Sequence, residues 1–327
     1  MTTFKDIRGT AVQSVSSDPT NPEVGQIWYN NTIGVLKGYQ LVAAAWAAGG
    51  NLSTDAAQRG GCGASQNSGL CFGGAPPTLV GTTATEEYDG SAWAAGGSLS
   101  NARHAMASAG TQTAGLGAGG YDGPPAPVYS NSTEEYDGST WTAGGNLGTA
   151  RYRLSGCGIQ TAGLAFGGND GSPPGQSNAT EEYDGSTWTA GGNMGTARKL
   201  TGSAGIQTAA LAFGGFSPRT NITEEYDGSS WTAGGNVPTS LSGMGGVGTQ
   251  NDALGFGGTT PTASQTSAFN YDGSTWTTNP ASLTTARNQA ASAGTITSAL
   301  AMAGSPNNIA TEEFTGAFNS TKKITTS

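Results

Sequence analysis

The chain has 327 residues, of which 55 are glycine and only 11% are charged, and its net charge at pH 7 is −9. A chain this acidic has no basic stripe with which to neutralise phosphates, so we expect no nucleic-acid partner. No apolar run reaches the roughly 18 residues that a transmembrane helix needs, so we also expect no membrane insertion.

The first 35 residues lack the repeat that fills the rest of the chain. They contain Asp18-Pro-Thr-Asn-Pro22, which is typical of extended or turn structure. Gln26-Ile-Trp-Tyr29 is consistent with one short strand. We therefore assign residues 1–35 to an N-terminal segment and residues 36–327 to the main domain. The polar start of the chain does not resemble a secretory signal.

From residue 36 onward the chain is built from a repeat in which Tyr-Asp-Gly is followed by Trp, five residues after the Tyr. Successive Trp residues lie about 43–48 residues apart, which is the period of a repeat array. Phe314-Thr-Gly and Phe318 form a weaker last copy, and Trp46 is an extra early one. The five full copies begin at Tyr88, Tyr136, Tyr183, Tyr226 and Tyr271.

Each repeat contains four short strand-like runs, which we name A, B, C and D in chain order. In the third unit, A follows Arg151, B ends at Gly168, C ends at Tyr183 and D begins at Trp188. Asp-Gly between C and D is a strong hairpin signal. Four antiparallel strands per unit, repeated radially, predict an all-β fold, a β-propeller.

The number of blades is the least determined feature of this prediction. Complete A–B–C–D sets begin after six Trp residues, so we expect six blades, with seven as the alternative and a short N-terminal extension. Residues 36–46 supply an extra C–D pair. This pair either leads into the ring, or Trp46 closes the last blade where Phe318 has decayed.

Two resemblances to known families follow from these motifs. Arg, then Gly-Gly, then Tyr-Asp, then Trp at this period resembles the kelch repeat, over residues 36–327. The segment Asn21–Lys37 resembles one found near the N-termini of tail-fibre and other virion proteins of tailed phages, where it leads into a variable C-terminal domain. The second resemblance implies that residues 1–35 attach to other virion tail proteins, and that the protein is located in a virion tail or another appendage.

An arginine near the start of most repeats is expected to pair with a glutamate of the same blade. Arg103, Arg151, Arg198 and Arg287 hold this position, but the fifth unit has Leu241 there. That unit also replaces Glu-Glu before the Tyr by Phe269-Asn270, and this joint loss predicts an Arg–Glu pair. The first unit has Ala56 at the arginine position, and we expect Arg59 to substitute.

The reactive side chains favour no enzyme. His104 is the only histidine, and this argues against multi-histidine metal sites. We expect His104 itself to be a solvated strand residue. Successive strand residues face opposite sides, so the paired glutamates cannot share a calcium ion. Cys62, Cys71 and Cys157 are expected to be free thiols, although Cys62 and Cys71 would face each other if their hairpin turned at Gln66-Asn67. We therefore expect no metal, no cofactor and no catalytic residue.

The loops between strands B and C differ in every unit, whereas the A–B and C–D turns are nearly identical. Variable loops on a rigid scaffold are where binding commonly resides. Aromatic and hydrogen-bonding groups suit a sugar, and the alternative is that the loops have drifted without a ligand. The candidate binding residues are Tyr121, Asp122, Tyr129, Asn169, Asp170, Phe216 and Arg219.

With these resemblances, the sequence predicts a non-enzymatic structural protein of a phage virion, such as a tail fibre or tail-associated appendage. Its propeller would display loops for recognition of a host-surface glycan or serve as tail scaffold. The alternatives are an extracellular, lectin-like glycan-binding propeller and a glycan-processing enzyme that relies on a carboxylate pair. Formation of a homo-oligomer is left open.

Overall fold

A computed structural model of the protein describes residues 12–77, 81–122, 129–173, 175–216, 218–306 and 308–324. In this part of the chain there are strands but no helices, so no helix crosses a membrane. The strands form seven four-stranded sheets, and six of them form a propeller, which confirms the predicted all-β propeller class. The chain divides into two compact units, residues 45–315 and residues 1–44 with 316–327.

In chain order the strands are β1 (Gln13–Val15), β2 (Ile27–Asn30), β3 (Val35–Val42), β4 (Ala45–Ala48), β5 (Gly60–Ser65), β6 (Ser68–Phe72), β7 (Thr85–Tyr88), β8 (Trp93–Ala95), β9 (Ala107–Thr111), β10 (Ala114–Ala118), β11 (Thr133–Tyr136), β12 (Trp141–Ala143), β13 (Ser155–Ile159), β14 (Ala162–Phe166), β15 (Thr180–Tyr183), β16 (Trp188–Ala190), β17 (Gly202–Ile206), β18 (Ala209–Phe213), β19 (Thr223–Tyr226), β20 (Trp231–Ala233), β21 (Ser242–Thr249), β22 (Asp252–Thr259), β23 (Ala268–Tyr271), β24 (Trp276–Asn279), β25 (Ala291–Thr295), β26 (Ser298–Met302), β27 (Thr311–Thr315) and β28 (Phe318–Lys323).

Six of the seven sheets lie in the unit 45–315 and are built from the repeats. Sheets 1 to 5 run in chain order, β5–β8, β9–β12, β13–β16, β17–β20 and β21–β24. Sheet 6 contains β25, β26, β27 and β4. Each A strand contacts the A strand of the next sheet, and that of sheet 6 contacts that of sheet 1. The strands crowd so closely that a Cβ on Gly61 would lie 2.7 Å from Ala291 Cβ.

Strand β4 completes sheet 6, because it pairs with β27 and places Trp46 opposite Phe314. Of the two roles that the sequence allowed for Trp46, closure of the last blade is therefore the one observed. Phe318, expected as a weak copy of the repeat Trp, instead begins β28 in the other unit. Strand β3 also lies outside the ring, so the ring begins at residue 45 rather than residue 36.

The seventh sheet belongs to the N-terminal unit and has the order β1-β2-β3-β28, with β1 parallel to β2. The strand expected at Gln26–Tyr29 is β2. Asp18 organises this unit: Trp28 Nε1 (3.0 Å) and Asn30 Nδ2 (2.9 Å) donate to its Oδ1, and Lys37 Nζ lies 2.5 Å from Oδ2. The hydrogen bond from Lys37, with those from Asn30 and Trp28, lowers the pKa of Asp18 to about 2.

The predicted Arg–Glu pair is present in every repeat sheet except the fifth. Arg151 is fully buried, and its Nη2 lies 2.8 Å from Glu181 Oε1. Its Nη1 donates to two backbone carbonyls of the same sheet, those of Gly167 and Ala179. Arg59 substitutes in sheet 1, as expected, with its Nη1 2.8 Å from Glu86.

In the Glu-Glu sequence of strand C, the first glutamate pairs with the arginine, and the second bonds to a neighbouring sheet. Tyr136 of sheet 2 donates its hydroxyl to Glu87 of sheet 1 at 2.5 Å. Tyr88 of sheet 1 donates in the same way to Glu313 of sheet 6, so this link also connects the last sheet to the first. The repeat Trp adds a parallel link, since Trp141 Nε1 donates to Thr85 Oγ1 at 2.9 Å.

The junction between sheets 5 and 6 lacks both of these recurring links. The Tyr–Glu link is absent because Phe314 stands in place of the Tyr and Asn270 in place of its glutamate acceptor. The Trp–Thr link is absent because Ala268 stands in place of the Thr, and Trp46 Nε1 is therefore buried without a partner among the described residues. The ring of Trp46 still packs against Phe256 and Phe314, at centroid distances of 4.9 and 5.1 Å, as the other repeat Trp residues pack at their junctions. This junction therefore keeps the aromatic packing but lacks the hydrogen bonds.

The three cysteines are buried free thiols, as predicted. The first A–B hairpin does turn at Gln66-Asn67, but a β-bulge between Gly63 and Ser65 shifts its register by one residue. Cys62 therefore lies opposite Leu70, and Cys71 opposite Gly61. Burial raises the pKa of Cys62 to about 12 and that of Cys71 to about 11, so both remain protonated at neutral pH.

Candidate binding site on the B–C face

The B–C loops share one face of the ring with the D–A connections, and we call it the B–C face. In each sheet, the residue that follows the arginine position pairs with the first residue after the Gly-Gly, or after Ala303-Gly304 in sheet 6, that ends strand B. The backbone is therefore the same at six places, and only the side chains differ. The pairs, from sheet 1 to sheet 6, are Ala57–Ala75, His104–Tyr121, Tyr152–Asn169, Lys199–Phe216, Ser242–Thr259 and Asn288–Ser305.

The next residue of each D–A connection lies closer to the ring axis, at the mouth of a central cavity of about 290 Å³. In sheet 3 this residue is Arg153, whose φ of 54° is in the left-handed region. Its N–H donates to the carbonyl of Ala105 at 2.8 Å, and its own carbonyl accepts from Leu200 N–H at 3.1 Å. Backbone hydrogen bonds between sheets therefore fix where this side chain begins.

Aromatic and cationic side chains occupy these positions only in sheets 2, 3 and 4. Sheets 1, 5 and 6 have Ala, Ser, Thr or Asn in the same pairs. Packing within the ring makes the same demands on every sheet, so it does not require this difference. One sector of an otherwise repetitive face is therefore chemically distinct, and we call the B–C face of sheets 2–4 the aromatic sector.

Three tyrosines form the centre of the aromatic sector. Tyr129 stacks on Tyr152 with ring centroids 4.8 Å apart, and Tyr121 lies 6.2 Å from Tyr129 and 5.6 Å from Tyr152. All three side chains are partly exposed. Partly exposed aromatic rings held by a rigid backbone provide apolar contact area at a small cost in conformational entropy.

Phe216 forms a second aromatic surface in sheet 4 and is exposed. Lys199 Nζ lies 5.7 Å and Arg219 Cζ 5.6 Å from its ring centroid. Arg219 Nε also donates to Ser242 Oγ at 3.1 Å, which connects this loop to sheet 5. Phe216 is therefore flanked by two cations within the distance of a cation–π contact.

His104 lies beneath this sector and is buried rather than solvated, which corrects the expectation from sequence. Its ring lies 5.1 Å from that of Tyr121, and Nδ1 has no hydrogen-bond partner in the described part of the chain. Burial, together with the positive charge of Arg153, lowers the pKa of His104 to about 4. His104 is therefore neutral at physiological pH and supports Tyr121 from below.

Two carboxylates border the sector. Asp170 is close enough to Tyr129 for its charge to contribute to a raised pKa of that phenol, whose main cause is burial. Asp122 is half-buried, and desolvation raises the pKa of its carboxyl group. Among the described residues, no cluster of three or more His, Cys, Asp or Glu could hold a metal ion.

The structure thus brings six of the seven predicted site residues onto one sector as accessible groups, namely Tyr121, Asp122, Tyr129, Asp170, Phe216 and Arg219. Asn169 is buried, and its Oδ1 accepts from Gly171 N–H, so it shapes the loop instead. The middle of the longest loop, residues 123–128, lies outside the described residues.

Sequence reasoning missed Tyr152, Arg153 and Lys199. Tyr152 and Arg153 follow the repeat arginine Arg151, and Lys199 follows Arg198, so they stand beside residues whose expected role is the Arg–Glu pair. The available signal was variation, because the residue after the arginine position differs in every unit whereas four of the six units keep the arginine.

No protein-family model matches the chain, and no curated protein matches it in sequence. The functional argument therefore rests on the fold and on this sector.

Proposed function

We propose that the protein is a non-enzymatic structural protein of a phage virion, a tail fibre or tail-associated appendage, whose kelch-like propeller displays loops that bind a host-surface glycan. The observation that carries the proposal is the aromatic sector, because partly exposed rings on variable loops suit the apolar faces of sugars. The buried Arg–Glu and Tyr–Glu links support it, since they give those loops a rigid base.

The N-terminal unit supports the attachment role in this proposal. Tyr29 pairs with Leu36 and Phe318 pairs with Val42, so these four side chains share one face of the sheet with Ile27. None of the five is buried. Gln40, Ser320 and Lys322 lie on the same face. A sheet face that combines apolar and polar side chains in this way fits a neighbouring tail protein, and the resemblance of Asn21–Lys37 to virion proteins of tailed phages suggests that class of partner.

Mass spectrometry of purified virions tests the proposed location. We expect peptides from both units in virions purified to constant infectivity, in a constant ratio to known tail proteins. If the protein occurs only in the medium, free of particles, the virion role is wrong and the lectin-like alternative remains. Hydrolysis of a bound oligosaccharide by the pure protein would instead favour the glycan-processing enzyme.

A further inference from the structure

Most cationic side chains of the ring unit are used inside the sheets. Residues 45–315 contain eight Lys and Arg, and five of these are the arginines paired with glutamate. The other three are Arg153, Lys199 and Arg219, and all three lie in the aromatic sector. None forms an ion pair with an acidic residue that the structure describes, and Arg153 Nε is buried without a hydrogen-bond partner.

These three cations stand next to aromatic rings. Arg153 Cζ lies 5.2 Å from the Tyr152 ring centroid, and Lys199 and Arg219 flank Phe216. Burial, together with the positive charge of Arg153, lowers the pKa of Lys199, so the two cations repel each other. Two like charges of this kind, neither of them in an ion pair with a described acidic residue, favour an anion between them.

The opposite face of the ring has the opposite charge. Each C–D turn there carries an exposed aspartate whose Oδ1 accepts from the backbone of its own turn, as Asp184 does from Ser186 and Thr187. These hydrogen bonds lower the pKa of Asp184 to about 2, so it is ionised at neutral pH. The same geometry recurs at Asp89, Asp137, Asp227 and Asp272. An anionic ligand is therefore repelled by that face of the ring and attracted by the aromatic sector.

We propose that the aromatic sector binds an acidic sugar, with its carboxylate held by Arg153, Lys199 and Arg219 and its ring faces against Tyr129 and Phe216. This inference rests on the proposed glycan recognition and specifies its ligand as a uronate-type saccharide. Arg and Lys supply the charged donors that a carboxylate needs, and the rings supply the apolar contact. Asp170, at the edge of the sector, would accept from sugar hydroxyls.

The test uses the full chain on an array of bacterial surface polysaccharides in which each uronate-containing member is paired with its carboxyl-reduced form. Carboxyl reduction removes the charge and leaves the sugar ring intact. We expect binding to acidic members only, and a loss of affinity of about tenfold to a hundredfold on reduction, which is the range for a lost charged hydrogen bond. Binding should also weaken as salt is raised.

The variant R153Q/K199Q/R219Q should lose the same binding while it keeps the melting temperature of the natural protein. Glutamine is already present at the position of Arg153 in sheets 1 and 6, as Gln58 and Gln289, so the backbone there accepts it. The matched control K322Q/K323Q removes exposed charges from the N-terminal unit and should bind normally.

The outcomes separate this inference from the proposed function. Equal binding to acidic and reduced members, or binding to neutral members alone, would overturn the acidic-sugar inference and leave glycan recognition standing. Absence of binding to every member would overturn both. Loss of binding in K322Q/K323Q but not in R153Q/K199Q/R219Q would move the site away from the aromatic sector and overturn the inference.

Discussion

At the scale of single residues, the ring is held by charged and phenolic groups removed from water. The buried Arg–Glu pair could be predicted from the sequence, because the fifth unit loses both partners together. The Tyr–Glu links could not, because Tyr and Glu-Glu occur together in the same unit, and the sequence does not show that each Tyr bonds to a glutamate of the neighbouring unit instead.

Sheet 5 provides a natural version of the ring without the ion pair. Leu241 and Phe269 replace the two charges, and both are buried. We predict that R151L alone destabilises the ring by about 3–5 kcal/mol, because it leaves Glu181 buried without its partner. The double variant R151L/E181F should recover most of this loss. Urea unfolding of both variants is the measurement, and equal destabilisation by the two would show that Glu181 is solvated.

The Tyr–Glu links predict how stability depends on pH. Burial, aided by the bond to Glu87, raises the pKa of Tyr136 to about 12, and equivalent bonds do the same for Tyr88, Tyr183 and Tyr226. The folded-state pKa lies above the unfolded value of about 10, so the stabilisation is complete below pH 10 and is lost as pH rises towards 12. Phenolate absorbance should follow the unfolding signal in that window, and titration of all ten tyrosines near pH 10 in the folded protein would contradict it.

At the scale of elements, the sequence identifies the strands of the repeat well, because Trp, Asp-Gly and Gly-Gly mark their ends. It fails at both ends of the chain. Strand β28 follows the last repeat without a turn signal that separates it, and β3 resembles a C strand. The two strands lie far apart in the sequence, and only the structure shows that they pair with each other.

The junction between sheets 5 and 6 yields a prediction about matched substitutions. Elsewhere, the Tyr hydroxyl fits over a glycine: a Cβ on Gly96 would lie 2.6 Å from Tyr136 Oη. In sheet 5 that position is Asn279, so F314Y alone should crowd Asn279 and bury an unpaired hydroxyl. We expect it to cost about 2 kcal/mol in the free energy of unfolding.

The triple variant F314Y/N270E/N279G restores the acceptor and the space, and it should return to within about 1 kcal/mol of the natural protein. Chemical denaturation of the single and triple variants, compared with N279G as the control, tests the junction. If F314Y is as stable as the natural protein, the junction is looser than described.

The two ends of the chain allow a sharp comparison of deletions. Removal of residues 1–44 together with 316–327 should leave a folded ring, because every strand of sheets 1–6 remains. Removal of residues 1–48 with 316–327 also takes away β4 and exposes the edge of β27, so this variant should melt at a lower temperature or aggregate. Equal melting of the two would mean that β4 does not close the ring. The first variant should also fail to enter virions, and its normal incorporation would contradict the attachment role.

At the scale of the whole molecule, a symmetric scaffold carries an asymmetric face. The sequence located that asymmetry in the B–C loops, because they differ between units. It did not reveal that the D–A connections contribute Tyr152, Arg153 and Lys199 to the same sector, since the loops and connections meet only after the sheets have formed.

The most direct test of the account is adsorption to host cells by virions that carry Y121A/Y129A/F216A. Substitutions of exposed loop residues usually change stability by about 0.5 kcal/mol or less, so the ring should remain folded. The matched control is T262A, at an exposed loop position of sheet 5 on the same face. We predict that the triple variant adsorbs at least about tenfold more slowly while T262A adsorbs normally, as expected when anchoring aromatic residues are removed from a binding site. Normal adsorption by the folded triple variant would contradict the account and leave the propeller as a structural scaffold.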